Sequence, residues 1–182
     1  LYNEVKRAID SPYVEFLGFH FHIGSQLFDK EPYIQALNVT LNHIKNIKDR
    51  YDFDIKEINM GGGFGVTYTD ENRKPYGYFL EPLIERVKEF YKEENAELPA
   101  LVIEPGRSIV AEAGISLYTV GRIKNIPGIR KYVSVDGGMT DNIRPALYQA
   151  KYDGVIANKA SCQRNDKVTV CGKCCESGDI LM

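Results

Sequence analysis

No stretch of this chain approaches the ~20 consecutive apolar residues that a bilayer-crossing helix needs, and no basic segment followed by an apolar one marks its start as a signal peptide. An excess of charge of one sign is also missing. The 23 Lys and Arg face 25 Asp and Glu, the pI is near 6.0, and no basic field gathers a nucleic-acid backbone. Neither a membrane nor a nucleic acid is therefore an expected partner, and a cytoplasmic setting is the default. The chain lacks the GxGxxG dinucleotide fingerprint and the lysine-serine pair of a phosphate-binding P-loop, so nucleotide binding has little support. Low-complexity tracts are absent as well. The chain opens on Leu1 without an initiator methionine and stops on the apolar run Gly178 to Met182, and we read it as an internal piece of a longer protein.

Cysteine is sparse, four residues in all, with three in Cys171-Gly172-Lys173-Cys174-Cys175. Disulfides and metal ligands are both conceivable. Zinc would want a second ligand pair at suitable spacing, and the other thiol is Cys162, with His20, His22 and His43 far upstream. We expect no metal and favour a reduced, catalytic cysteine.

What the chain does have is three glycine-bearing loops, His22-Ile23-Gly24-Ser25, Gly61-Gly62-Gly63-Phe64-Gly65 and Glu104-Pro105-Gly106-Arg107, each following an apolar run. They are spaced by about forty residues, the length of a strand, a helix and two loops. Successive parallel strands would deliver all three to one edge of a sheet. Val14 to Ile23 reads as a strand with Phe19 and Phe21 on one face and His20 and His22 on the other. A helix follows, N-capped by Asp29, with Pro32 in its first turn, a stripe at Ile34, Leu37, Leu41, Ile44 and Ile47, and an end near Arg50. Ile55 to Met60 is a second strand, Leu83 to Tyr91 marks a second helix, and Ala100 to Ile103 is a third strand. Between the second strand and second helix, Thr67 to Tyr78 forms a long polar, tyrosine-rich loop suited to a lid or a subunit contact. Arg107 to Ala113 reads as a short helix. Beyond Gly114 the reading changes to strands, Ile115 to Ile123 and Lys131 to Val135, with no long helical stripe after them, so a boundary between a parallel βα region and a β-rich one falls near 114 to 145.

Consecutive glycines at a strand end let backbone N–H groups point into a concavity that suits phosphate oxygens. A plain tight turn is the alternative. Glu104 and Arg107 set a carboxylate and a guanidinium on either side of a turn that opens a helix, an arrangement favourable to phosphate, with a surface ion pair as the alternative. Two recognition tasks, one for a protonated nitrogen and one for a phosphate, fit pyridoxal phosphate.

The ordered series HIGSQ, GGGFG, EPGRSIVAEAG, DGGMTDNIRPALY and CCESGD resembles the diaminopimelate decarboxylases, the lysine-forming branch of the alanine-racemase-like, fold-type III pyridoxal-phosphate enzymes. The resemblance spans nearly the whole chain. It implies an α/β fold: the later part of a (β/α)₈ TIM-type barrel over residues 1–125, followed by the start of a C-terminal β domain over 126–182, with the cofactor at the barrel's C-terminal mouth.

The same resemblance assigns roles. His22 stacks on the pyridine ring, or is a core histidine; Ser25 and Gly63 hold the phosphate; and Glu104 sits against the pyridine nitrogen, keeping it protonated as an electron sink. Gly106 and Arg107 serve the phosphate and substrate end. Cys175 is the acid that protonates the carbanion left by decarboxylation, against the ordinary reading of a structural cysteine. Glu176 takes the substrate's distal ammonium, and Arg144 with Tyr148 its distal carboxylate; a solvated glutamate, a surface arginine and a core tyrosine are the plain alternatives.

A zwitterionic far end favours meso-2,6-diaminopimelate over ornithine, arginine or lysine, which would leave Arg144 without a task. The expected products are L-lysine and carbon dioxide. The family's cofactor-bearing lysine belongs to a motif upstream of Leu1 and a late phosphate-side tyrosine to a segment beyond Met182, so the chain alone is expected to be inactive. A homodimer with a shared site is the expected partner. A non-catalytic pyridoxal-phosphate barrel and a sugar-phosphate barrel enzyme are the remaining alternatives.

Overall fold

The computed structural model describes residues 1–182. The chain divides into two compact units, one of Leu1–Val66 with Asn72–Ala113 and one of Thr67–Glu71 with Gly114–Met182.

The first unit alternates helix and strand: α1 (Tyr2–Ile9), β1 (Gly18–His20), α2 (Glu31–Tyr51), β2 (Glu57–Asn59), α3 (Tyr76–Glu93), β3 (Ala100–Val102) and α4 (Gly106–Val110), which runs into a 3₁₀ turn at Ala111–Ala113. The strands pair in parallel in the order β1-β2-β3. Sequential order with a helix in each crossover is the arrangement of consecutive barrel strands. Register places Phe19 beside Ile58 and Ile58 beside Leu101, and these face the helices. The core forms where α2 buries Tyr33, Leu37, Leu41, Ile44 and Ile47 and α3 buries Phe79, Leu83, Val87, Phe90 and Tyr91. Each such side chain contributes roughly 1.5–3 kcal/mol on burial.

The helices lie close to the sequence reading, whereas the strands are shorter than expected. Only Gly18–His20 and Glu57–Asn59 are paired as strands, because the residues on either side turn into loops once the parallel ladder ends. The alternation predicted around them holds: Phe19 and Phe21 pack on the core, while His20 and His22 are exposed. Asp29 is displaced from its expected role. The cap position belongs to Lys30, and Asp29 instead accepts the Glu31 amide at 3.1 Å. The long loop is also shorter, since α3 begins at Tyr76. Its tip is organised by Glu71, whose carboxylate accepts the amides of Thr69 (2.8 Å) and Tyr68 (3.0 Å). Those backbone bonds, Thr69's first, hold its pKa down at about 2.

The second unit contains β4 (Val120–Ile126), β5 (Arg130–Val135), α5 (Arg144–Tyr148) and β6 (Thr169–Cys171), with sheet order β4-β5-β6. β4 and β5 form an antiparallel hairpin and β6 runs parallel to β5. Two expectations shift here. The strand expected over 115–123 begins only at Val120 and extends to Ile126. The division between units falls at Ala113/Gly114, at the near edge of the 114–145 range read from the sequence, and a cut at 125/126 would lie inside the β4–β5 hairpin. No helix is long and apolar enough to cross a membrane.

Candidate cofactor and substrate site

In the first unit, the loops that follow β1, β2 and β3 are joined through their main chains. Leu27 N donates to the Gly63 carbonyl at 3.0 Å and Gly65 N to the Leu27 carbonyl at 2.9 Å, while Glu104 N reaches the Gly61 carbonyl at 2.7 Å. Gln26 reinforces the first pair by donating to the Val66 carbonyl and accepting the Val66 amide, both at 3.0 Å. Contact is so close that a Cβ on Gly63, whose φ is +97°, would lie 2.1 Å from the Gly24 carbonyl oxygen. Only glycine permits that backbone and that approach.

An aromatic layer supports the turn from below. Tyr33 stacks on Phe64 with centroids 5.4 Å apart, and Phe64 meets Tyr76 edge-on at 5.3 Å. The Tyr33 hydroxyl donates to the Gly62 carbonyl at 2.9 Å. Burial pushes its pKa up to about 12, so it remains a donor at every physiological pH. Tyr33→Phe leaves a buried carbonyl without this donor and is expected to cost about 1–3 kcal/mol. The check is denaturant unfolding of the full-length protein; an unchanged midpoint would show that the bond is not needed.

Across the opposite sheet face runs a polar row. His20 and Asn59 are register partners, and Asn59 pairs with Val102, two residues before Glu104. Asn59 Nδ2 donates to Glu104 Oε1 at 2.9 Å, and its Oδ1 accepts the Gly61 amide at 2.9 Å. His20 Nε2 stands 3.5 Å from Glu104 Oε2. The carboxylate is thus oriented from two sides while more than half exposed. Gly62 N approaches His22 Nδ1 at 3.4 Å, a long bond that places the imidazole over the same turn.

His22, Gly63 and Glu104 are therefore brought together, as expected. Ser25 is exposed on the first loop. Gly106 follows the carboxylate directly and its amide already donates to the Glu104 carbonyl at 2.9 Å; Arg107 lies in α4. That helix is fixed by the buried Ser108, whose Oγ meets the Tyr76 hydroxyl at 2.7 Å and whose carbonyl accepts from Arg73 at 2.9 Å. Asn59, His20, Gln26 and Ser108 were not singled out as site residues from the sequence. The alternation that put His20 on the same face as His22 was the available signal for the first of them.

The remaining candidates lie in the second unit. Arg144 opens α5 and stacks on Tyr148, 5.3 Å from guanidinium carbon to ring centroid. Its Nε is buried and has no hydrogen-bond partner. Cys175 and Glu176 sit on an exposed loop after β6. Glu176 Oε1 accepts the Gly178 amide at 3.0 Å and the Ser177 hydroxyl at 3.1 Å, and these bonds, the Gly178 amide first, lower its pKa. All four cysteines are unpaired thiols.

Residues 2–111 match the family model of the pyridoxal-dependent decarboxylase, pyridoxal binding domain. The chain belongs to this pyridoxal-dependent decarboxylase family. The match ends close to Ala113, where the first unit ends. Among its relatives are the diaminopimelate decarboxylases of Bacillus methanolicus, 46% identical over 96% of this chain and 41% of that protein, and of Bacillus subtilis, 45% identical over 98% and 41%. The crystal structure of diaminopimelate decarboxylase from M. jannaschii in complex with L-lysine superimposes with a TM-score of 0.82 at 34% identity, covering 98% of this chain and 40% of that one. The chain thus spans about two-fifths of the length of the relatives it matches. The α/β reading of the sequence holds.

The residues present suit such a group. A glycine turn stripped of side chains, a histidine over it and a carboxylate held ready at its side offer places for an anion, a flat ring and a protonated nitrogen.

Proposed function

We propose that the protein of which this chain is part decarboxylates meso-2,6-diaminopimelate to L-lysine and carbon dioxide, with pyridoxal phosphate as cofactor. The observation that carries this reading is the Glu104 carboxylate, oriented by Asn59 and His20 next to the glycine turn. When bound, the protonated pyridine ring draws electron density from the bond to the departing carboxylate. Glu104 would be set against the ring nitrogen, His22 against the ring, and Ser25, Gly63, Gly106 and Arg107 about the phosphate, Arg107 also serving the substrate.

The second unit would select the substrate and finish the reaction. Cys175 Sγ–H would give its proton to the carbon that has lost its carboxylate. Glu176 would receive the distal ammonium, and Arg144 with Tyr148 the distal carboxylate. Support for the arginine comes from its state here: the guanidinium is steadied by the Tyr148 ring, yet its buried Nε forms no hydrogen bond. A substrate ending in an amine alone gives such a group nothing to hold. The L-lysine bound by the M. jannaschii enzyme is the product this reading requires.

In this reading the first unit is the later part of a (β/α)₈ barrel and the second the start of a C-terminal β domain. The working form is a homodimer whose site both subunits complete, in the cytoplasm, where thiols stay reduced. The test is carbon dioxide release by the full-length protein from diaminopimelate, ornithine and lysine in parallel. Diaminopimelate is expected to be turned over far faster than the other two. Comparable rates on ornithine would overturn the substrate assignment, and no dependence on added pyridoxal phosphate would overturn the cofactor.

A further inference from the structure

Asn59 ends β2, and the main chain there is pinned on both sides. Its carbonyl accepts Phe21 N at 3.0 Å, and Met60 N, directly after it, reaches the Val102 carbonyl at 2.9 Å. The side chain therefore starts from a fixed point, beside His20 in register. A primary amide has one accepting end and one donating end, and here both are used. Oδ1 accepts the Gly61 amide at 2.9 Å, which decides which way round the group sits. Nδ2 is thereby turned to Glu104 Oε1, also at 2.9 Å.

A third bond closes a ring. Glu104 N donates to the Gly61 carbonyl at 2.7 Å, so Gly61 is held through its N–H by Asn59 and through its C=O by Glu104, while Asn59 and Glu104 hold each other. The glycines leave no slack in this ring. Gly61 has φ +67°, and a Cβ on it would lie 2.4 Å from the Phe21 carbonyl oxygen; one on Gly62 would lie 2.1 Å from the Glu104 carbonyl oxygen. The glycine turn and the carboxylate are one hydrogen-bonded unit.

Such a tether has work to do, because the Glu104 side chain is 57% exposed and would otherwise sample many rotamers whose loss opposes binding. His20 Nε2, 3.5 Å from the other oxygen, is the weaker restraint. A group already held where its partner will arrive gives up less freedom when the partner binds. We infer that Asn59 is a positioning residue that sets the separation between the two ends of the cofactor site, holding the Glu104 carboxylate at a fixed place relative to the glycine turn. This rests on the reading of Glu104 as the partner of the ring nitrogen and of the turn as the seat of the phosphate. Asn59 acts through Glu104.

The test measures, by titration calorimetry on the full-length apo protein, the affinity for pyridoxal phosphate and for its deaza analogue, in which a C–H replaces the ring nitrogen. The analogue keeps the aldehyde and the phosphate but offers Glu104 no N–H, so the ratio of the two affinities reads the carboxylate–nitrogen contact. Wild type is expected to prefer pyridoxal phosphate by about tenfold or more, the worth of one charge-assisted hydrogen bond. Asn59→Ala and Asn59→Ser are both expected to reduce that preference by about threefold or more. Serine is the sharper of the two. Its hydroxyl can still accept the Gly61 amide, as serine does in turns, but it is too short to bring a donor to Glu104.

A role confined to shaping the turn would weaken both ligands alike in Asn59→Ala and would be rescued in Asn59→Ser. A preference that changes by less than about threefold in either variant therefore overturns the inference. Should one variant fail to fold, the other decides by the same ratio. If wild type itself shows no preference, the placement of Glu104 against the ring nitrogen is refuted and the inference falls with it. If wild type shows the preference and the variants keep it, that placement stands and the inference alone is overturned.

Discussion

Replacing Cys175 with alanine is expected to lower kcat of the full-length protein by roughly 10²–10⁴-fold, the usual worth of a positioned general acid, with KM for diaminopimelate little changed. A group that acts on a proton only as the transition state forms contributes little to holding the substrate beforehand. The local structure suits that duty. The thiol is exposed, so a substrate can reach it, but its backbone is not loose. Cys174 N is bound to Asp179, and Glu176 N donates to the Cys174 carbonyl at 2.8 Å, which fixes the turn on both sides of Cys175. Cys174, half-buried behind this turn, should tolerate alanine with a much smaller effect. Steady-state kinetics and single-turnover measurements check both variants. A raised KM with kcat intact in Cys175→Ala would remove the thiol from the chemistry and leave it a binding role.

Gly63→Ala is expected to be the most damaging single substitution in the cofactor face. Two costs combine. A left-handed backbone at φ +97° is strained for any residue with a Cβ, by about 1–2 kcal/mol, and the added methyl would meet the Gly24 carbonyl oxygen at 2.1 Å. That oxygen is main chain, so it cannot rotate aside. Relief requires the first two loops to separate, which breaks the Leu27–Gly63 hydrogen bond and moves His22 away from the turn. Pyridoxal phosphate affinity of the full-length apo protein should fall by about a hundredfold or more, as two to three interactions of ordinary strength are lost. Titration followed by cofactor absorbance measures it, and an affinity within about threefold of wild type would mean that the turn does not shape the site.

Much of this was legible in the chain itself, and the parts that were not share a cause. Helix α2 could be read almost to its ends because its stripe from Ile34 to Ile47 repeats a local rule. The parallel order of the strands followed from even loop spacing. The joining of His22, the glycine turn and Glu104 followed from placing three such loops at one sheet edge. By contrast, Asn59, Gln26 and Asp179 act through hydrogen bonds to residues about forty positions away, and no local periodicity records them. Helix α1 escaped notice for a different reason. It is only eight residues long, so Val5, Ala8 and Ile9 repeat the helical spacing once, too briefly to establish a period. The change to a β-rich chain was legible only as a broad range because the first strand of the β4–β5 hairpin is mostly exposed and carries little of the alternation that marks a half-buried one.

The main-chain stitching of the three loops has a bearing on engineering. Because the Gly63, Leu27, Gly61 and Glu104 backbones bond to one another, the outline of the joined loops depends little on which side chains surround them. Attempts to redirect such an enzyme toward shorter or singly charged amino acids can therefore vary α5 and Glu176, with Cys175 kept, while the vitamin-binding end is left as a fixed chassis.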